Sequence, residues 1–227
     1  MRQLHPVSIK ERFVASGVYI WAQSGVILPV REAWTIHELP DQSQIVRVDR
    51  EDSGTTLLLE ILRDAAGGMQ RFDGHFYGGP GRNVRQAKAT FSFFEDRVQV
   101  GRTVDNAVRE HDELTLAAGT LVHSNAYVLL GSVLVDVVAA GQAVSVFSFA
   151  LEDHNLFMPQ VDPCRVFRAE ADLPAGAYQM VYRNYDKNTR FWLDKYRTIV
   201  KMEAVESDAL TVMTLNSYSR RPETDHD

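Results

Sequence analysis

The chain has 227 residues, 45% of them hydrophobic, so it is long enough to bury a sizeable core within one domain. The net charge of −6 and a pI near 5.6 argue against a nucleic-acid-binding protein, because phosphate binding requires a basic surface. The single cysteine, Cys164, cannot form an intramolecular disulfide, so the composition does not require an oxidising compartment.

The N-terminal segment does not have the pattern of a secretory signal, because Lys10, Glu11 and Arg12 interrupt its apolar residues. No apolar run approaches the length of about 20 residues that a membrane-spanning helix needs. We therefore expect a cytoplasmic protein without a transmembrane segment. A periplasmic protein whose signal has been removed would have a similar sequence, and that alternative stays open.

Alternating apolar and polar residues dominate the N-terminal half, which is typical of antiparallel strands. Ser24-Gly25 and Pro40-Asp41 mark turns between them. Residues 55–62 are apolar on both faces, and their short length favours a strand covered on both sides. The predicted strands are 17–23, 29–39, 44–50, 55–62, 70–78, 84–95 and 97–104.

A different pattern in the middle of the chain predicts one main helix, whose body covers residues 125–140. Ser124 or Asn125 is expected to cap its N-terminus, and Gly141 suits the left-handed residue that follows a helix. The segment is apolar almost all round, which indicates burial against a sheet. A glycine inside it, Gly131, indicates close packing there. Residues 108–123, just before the helix, are interpreted as a connection inside one domain.

Strand patterns resume after the helix, and the last four are separated by short turns. Consecutive strands joined by short turns usually pair, so we expect an antiparallel meander at the C-terminus. These predicted strands are 143–152, 164–171, 178–184, 190–194, 197–205 and 209–218. The sequence therefore predicts a single β-rich domain over residues 1–218. Residues 219–227 are polar and predict a disordered tail.

The segment RFWLDKYRTIVKME within this meander resembles the last strands of bacterial half-barrel proteins related to the lipoprotein-localisation factors. The matching positions are Arg190, Trp192, Leu193, Asp194, Ile199, Lys201 and Glu203. The resemblance implies a mostly β fold, in which a curved antiparallel half-barrel wraps over one main buried helix. It also implies that an apolar ligand such as a lipid is held between sheet and helix, and a few such proteins are small-molecule enzymes.

No motif for a cofactor, a metal or a nucleophile is present, so none is expected. The glycine-rich loop at 74–83 lacks the spacing of a nucleotide-binding loop. Residues 151–155 combine Glu152, Asp153 and His154, but without a metal-ligand spacing. Cys164 has no evident base beside it and is interpreted as a half-buried structural thiol.

We therefore expect the protein to bind an apolar or amphipathic small molecule between the curved sheet and the helix. Aromatic residues on many strands would line the cavity, with a few polar groups orienting the guest. The candidate ligand-binding residues are Trp21, Trp34, Arg47, His75, Tyr77, Phe91, Phe93, His123, Phe147, Tyr182 and Trp192.

An alternative is a cyclase, isomerase or lyase that works in the same cavity. It would need His75, His123 or His154 to point inward beside a carboxylate. Self-association through open sheet edges is a further interpretation that the sequence leaves open. Ligand identity and the choice between carrier and enzyme are not determined by the residues.

Overall fold

The computed structural model describes residues 1–79, 84–107, 110–151, 155–168, 177–182, 189–206 and 209–222, of which 167–168, 177–182 and 206 are described by their backbone alone. The strands of the N-terminal half are β1 (Arg12–Gln23), β2 (Val26–Glu38), β3 (Gln44–Asp52), β4 (Thr55–Arg63), β5 (Met69–Gly78), β6 (Arg85–Phe93), β7 (Arg97–Val104) and β8 (Glu110–Thr115). After them come β9 (Leu121–Val122), the helix α1 (Tyr127–Ala140), β10 (Val144–Phe149), β11 (Pro159–Arg168), β12 (Ala177–Tyr182), β13 (Arg190–Leu193), β14 (Ile199–Glu206) and β15 (Ala209–Arg220).

All of these strands belong to one 15-stranded sheet. Consecutive strands pair antiparallel from β1 to β8 and from β10 to β15, whereas β9 and β10 run parallel with α1 as their crossover. The first strand pairs with the last, so β1 and β15 join the two halves of the chain in the middle of the sheet. The edges are β8 and β9, and the sheet does not close into a barrel. The predicted mostly β class and C-terminal meander are confirmed.

Local turn chemistry explains the tight hairpins. Ser24-Gly25 and Ser53-Gly54 have positive φ at both residues, with values of 47° and 84° in the first pair and 44° and 90° in the second. Two-residue turns of this kind match the right-handed twist of paired strands, and glycine adopts the left-handed region without a steric penalty. The first of these turns is at the predicted position.

The inner face of the sheet, which packs against α1 and the core, holds the large aromatic residues. The Phe72 ring on β5 is 4.9 Å from the Phe91 ring on β6 and 4.7 Å from the Phe149 ring on β10, measured between centroids. Strands β5 and β10 are far apart in the order of the sheet, so they meet only because the sheet curves strongly. Dispersion and apolar burial among these rings therefore hold the curve together.

The helix α1 lies against β11 and β14 on the inner face. Gly141 follows it with φ 67° and donates its backbone N–H to the Val138 carbonyl, as predicted. The predicted N-terminal cap is wrong, because the cap residue is Ala126, which has no side-chain hydrogen bond. The side chain of Asn125 donates instead to the Phe149 carbonyl oxygen, 2.6 Å away.

Gly131 has the close contact that the sequence indicates. A Cβ atom at this position would lie 1.9 Å from the backbone carbonyl oxygen of Arg197. Residues 194–198 form the tight turn between β13 and β14, in which Asp194 accepts hydrogen bonds from the backbone N–H groups of Tyr196 and Thr198. Helix and turn can approach this closely only because residue 131 has no side chain.

Two parts of the sequence interpretation need correction. Strand β8 falls in the segment interpreted as a connection, because its residues are almost all polar and exposed and lack an apolar alternation. The predicted tail begins too early, since Ser219 and Arg220 continue β15 by pairing with Ser16 and Ala15. Residues 223–227 of that tail lie outside the described residues.

Candidate functional site

A cleft of about 390 Å³ lies where the middle of α1 faces four segments of the sheet. These are the β4–β5 turn, the β6–β7 turn, the connection from β8 to β9 and the β13–β14 turn. We call it the α1 cleft. Its volume is within the range of about 300–1,000 Å³ that is usual for small-molecule sites. Leu121 and Val122 of β9, which is an edge strand in the described part of the chain, form part of its wall.

Apolar side chains from the sheet and from the helix form much of the α1 cleft. Because both surfaces contribute, an apolar guest there would lose contact with water on two sides. These apolar residues are Met69, Phe93, Phe94, Leu116, Leu121, Val122, Leu129 and Val133.

The polar part of the α1 cleft contains Arg63 at the end of β4, and Asp136 of α1 with Arg197 opposite. The Asp136 carboxylate and the Arg197 guanidinium form an ion pair, Nη1 to Oδ1, of 3.2 Å with about half of each side chain exposed. The Nε of Arg63 donates to the Gly67 carbonyl oxygen at 3.1 Å in the β4–β5 turn. Burial lowers the pKa of Arg63 despite the nearby carboxylates of Asp136 and Asp64.

Three of the predicted ligand-binding residues are neighbours on the inner face. Phe91 lies 5.9 Å from Phe147, and Phe93 lies 5.3 Å from Phe147, measured between ring centroids. Phe91 and Phe147 are buried in the core, so they fill the inside of the curve. Of the three, Phe93 reaches the α1 cleft.

The predicted tryptophans Trp21 and Trp34 form a second aromatic group around the N-terminus of α1. Tyr19 lies between them, with its ring centroid 6.5 Å from that of Trp21 and 6.1 Å from that of Trp34. Tyr127, the first residue of α1, packs against Trp21 at 5.5 Å. The Arg50 guanidinium covers the rings of Trp21 and Tyr127, so the protein itself supplies the cation for these aromatic faces.

A buried glutamate, Glu32 on β2, lies in the middle of this aromatic group. Its Oε1 accepts the backbone N–H of Tyr127 at 2.9 Å, so a residue far away in the chain caps α1. Its Oε2 is 3.9 Å from Arg50 and has no hydrogen-bond partner in the described part of the chain. Burial raises the pKa of Glu32 to about 7, against the opposing effects of Arg50 and the helix N–H groups.

Four of the predicted ligand-binding residues point away from the cavity, because neighbouring residues of a strand face opposite sides. His75 and Tyr77 are exposed on the outer face of β5. Trp192 lies on the outer face of β13, where Lys201 covers its ring at 4.9 Å. Arg47 is buried on the outer face, so these four assignments are corrected.

Arg47 stabilises the N-terminal segment on the outer face of the sheet. Its Nη1 and Nη2 donate to the Glu11 carboxylate at 2.5 and 2.9 Å, and its Nε donates to Glu60 at 2.9 Å. Arg2 makes a similar contact with Asp49, Nη2 to Oδ1, at 2.7 Å. Since Arg47 and Glu11 are each only 2% exposed, this pair is structural and leaves no charge for a ligand.

The other predicted polar residues are separated from one another. His123 precedes α1, and its half-buried ring has an enclosed Nδ1 without a hydrogen-bond partner among the described residues. Burial lowers the pKa of His123 to about 4, which favours a neutral imidazole.

Burial raises the pKa of Cys164 to about 11, which keeps it a thiol. The side chain of Tyr182 lies outside the described residues, as do Glu152, Asp153 and His154.

Four residues of the α1 cleft and the aromatic group were not predicted as site residues, and the sequence gives a weak indication for two of them. Glu32 is a charged residue on the same strand face as Trp34, and a charge in an apolar alternation is unusual. Asp136 is the single charge in the α1 sequence. Arg63 and Arg197 had no comparable signal, because each is an ordinary basic residue beside a turn.

The fold and the cleft define a curved antiparallel sheet wrapped around a helix, with a crevice at its open edge. A solved structure shares this fold: the beta-barrel-like protein of the domain of unknown function DUF1849 from Brucella abortus. The identity is 11%, the alignment covers 93% of this chain and 100% of the other, and the TM-score is 0.53. No family model matches the chain, and no curated protein matches it either.

In the part of the chain that the structure describes, no helix is long and apolar enough to cross a membrane. Within the same residues, no group of three or more histidine, cysteine, aspartate or glutamate side chains is placed to hold a metal ion.

Proposed function

We propose that the protein binds an apolar or amphipathic small molecule in the α1 cleft. The observation that carries the proposal is a crevice of about 390 Å³ with apolar side chains from both the helix and the sheet. Polar side chains such as Arg63, Thr120 and Asp136 line the same crevice, so its mixed surface suits a guest that has both an apolar and a polar part. The resemblance of the C-terminal segment to bacterial half-barrel proteins implies an apolar ligand between sheet and helix, and this supports the proposal.

A neutral apolar dye, N-phenyl-1-naphthylamine, tests the proposal, because its fluorescence rises when it leaves water. We expect Val133→Trp to abolish this rise by filling the α1 cleft from the helix side. Ser132→Phe fills the same cleft from a half-buried position and should act similarly. Val161→Trp is the matched control, since Val161 is 43% exposed on β11 and is not part of the cleft.

Circular dichroism of each variant checks that it folds. A dye signal that survives both folded cleft variants would overturn the proposal, as would the absence of any signal with the unchanged protein. Mass spectrometry of the protein, native and then extracted with organic solvent, would show whether a small apolar molecule co-purifies. A bound compound would also identify the chemical class to test for turnover.

The alternative, an isomerase, cyclase or lyase in the same place, has less support. It relied on histidines beside a carboxylate, and His75 is on the outer face while His154 is outside the described residues. Glu32 has the raised pKa of an acid–base group, but it is not among the residues that form the α1 cleft. The cytoplasmic location remains a prediction from the sequence.

A further inference from the structure

The guanidinium of Arg63 is an incompletely paired cation in the lining of the α1 cleft. The Nε is bonded to the Gly67 carbonyl oxygen. Neither Nη1 nor Nη2 has a hydrogen-bond or ion-pair partner among the described residues, although both nitrogens are strong donors. A half-buried guanidinium has lost part of its hydration, so an anion beside it would restore favourable interactions.

A second polar group in the α1 cleft also lacks a partner. The hydroxyl of Thr120, in the connection from β8 to β9, is buried and has no hydrogen-bond partner in the described part of the chain. The cleft therefore offers donors from two different segments of the sheet. Its apolar side chains come from the same sheet segments and from α1.

The charges around Arg63 limit the charge of a suitable ligand. Asp136 and Asp64 both interact electrostatically with Arg63, but the Asp136 carboxylate is paired with Arg197 and the Asp64 carboxylate accepts the backbone N–H of Gly68. Glu95, on the β6–β7 turn, is exposed and screened by solvent. Arg63 thus has nearby carboxylates but no ion-pair partner among the described residues, and a doubly charged head group would be repelled by those carboxylates.

We infer that the ligand of the α1 cleft is an amphipathic monoanion, such as an aliphatic carboxylate, whose head group is bound by Arg63 while its chain lies along α1. This inference rests on the proposed function, since it names the class of ligand for the same cleft. A carboxylate can accept from both terminal nitrogens of Arg63, which a neutral head group cannot do with equal strength.

Three ligands with the same tail test the inference: decanoate, decan-1-ol and decyl phosphate, each competed against the dye. The unchanged protein should bind decanoate at least about tenfold more tightly than decan-1-ol, as expected for a charge-assisted hydrogen bond. Decyl phosphate above its second pKa should bind more weakly than decanoate. Arg63→Gln should remove the preference for decanoate over decan-1-ol.

Asp136→Asn is expected to change the preference for decanoate in the opposite direction to Arg63→Gln. It removes a carboxylate near Arg63 and releases Arg197, so the preference for decanoate over decan-1-ol should increase several-fold. A folding defect would not tighten binding of one ligand alone.

The outcomes separate this inference from the proposed function. If decan-1-ol and decanoate bind equally to the unchanged protein, the α1 cleft binds apolar chains and the anion inference is wrong. A preference for decanoate that persists in Arg63→Gln would also overturn it. If neither ligand displaces the dye and no dye signal depends on the cleft variants, the proposed function itself fails.

Discussion

Glu32 shows how one residue connects the sheet to the helix. Its carboxylate is fully buried and caps α1 through the Tyr127 N–H, yet one of its oxygens has no hydrogen-bond partner among the described residues. Ionisation is therefore opposed by lost hydration and favoured by Arg50 and the helix N–H groups. Burial has the larger effect, so the folded protein holds this proton to a higher pH than an unfolded chain does.

The pH dependence of stability should reveal this group. From the ordinary pKa of 4.5 to the folded value of about 7, the unfolded chain loses the proton of Glu32 while the folded chain keeps it. The stabilisation is complete below that window and is lost as the pH rises through it. The loss is about 3 kcal/mol, since each pKa unit corresponds to about 1.4 kcal/mol.

Urea unfolding of the unchanged protein and of Glu32→Gln at several pH values across this window measures the effect. The free energy of unfolding of the unchanged protein should fall relative to that of Glu32→Gln as the pH increases. The other titrating groups are common to both proteins and cancel in the difference. A difference that stays constant with pH would contradict the assignment.

At the scale of elements, α1 is positioned by two close contacts. Glu32 binds its N-terminus, and the carbonyl of Arg197 packs against Gly131 in its middle. The helix lies across β11 and β14 and leaves Ser132, Val133 and Asp136 facing the α1 cleft. The position of this one helix therefore sets the width of the proposed site.

Gly131→Ala should destabilise the protein even though alanine is the better helix former by about 1 kcal/mol. The new Cβ would lie 1.9 Å from the Arg197 carbonyl oxygen, which is backbone and cannot rotate away. We expect a net loss of about 2 kcal/mol, typical of an overpacked contact. Thermal or urea unfolding measures it, with Ser132→Ala as the adjacent control that should change stability by less than about 0.5 kcal/mol. Equal or higher stability of Gly131→Ala would show that the helix can move at no cost.

At the scale of the whole molecule, the sheet has two ends that are protected differently. Strand β9 is short and leads directly into the helix, whereas β8 has six residues and no strand on its other side in the described part of the chain. Glu110, Asp112 and Glu113 are exposed along β8. Charges on an edge strand oppose pairing with a strand of another molecule, which explains why β8 is polar.

Asp112→Thr combined with Glu113→Val should make the protein associate through β8. The change raises β propensity and removes charge from an open edge. Sedimentation velocity at increasing concentration should show a larger weight-average sedimentation coefficient than for the unchanged protein. Lys88→Thr with Gln86→Val is the matched control, because these exposed residues lie on β6, which is paired on both sides. If the control also associates, the new side chains cause nonspecific association and the open edge of β8 is not the reason.

The sequence by itself determined the features that depend on local chemistry. Alternating residues defined most strands, Ser24-Gly25 gave a hairpin, and Gly141 ended the helix, because turns and caps depend on only a few neighbouring residues. The apolar content of α1 correctly indicated burial. Strand β8 was not predicted, because it is a strand through its pairing with β7 and not through its own composition.

Only the tertiary structure decided which side chains meet. Glu32 and Tyr127 are 95 residues apart in sequence, and Asp136 and Arg197 are 61 apart. A strand pattern gives two faces but does not say which one is inner when both carry buried residues, so Arg47 was assigned to the cavity although it binds Glu11 outside. The α1 cleft exists because a curved sheet and one helix leave space at an open edge, and no local pattern encodes that space.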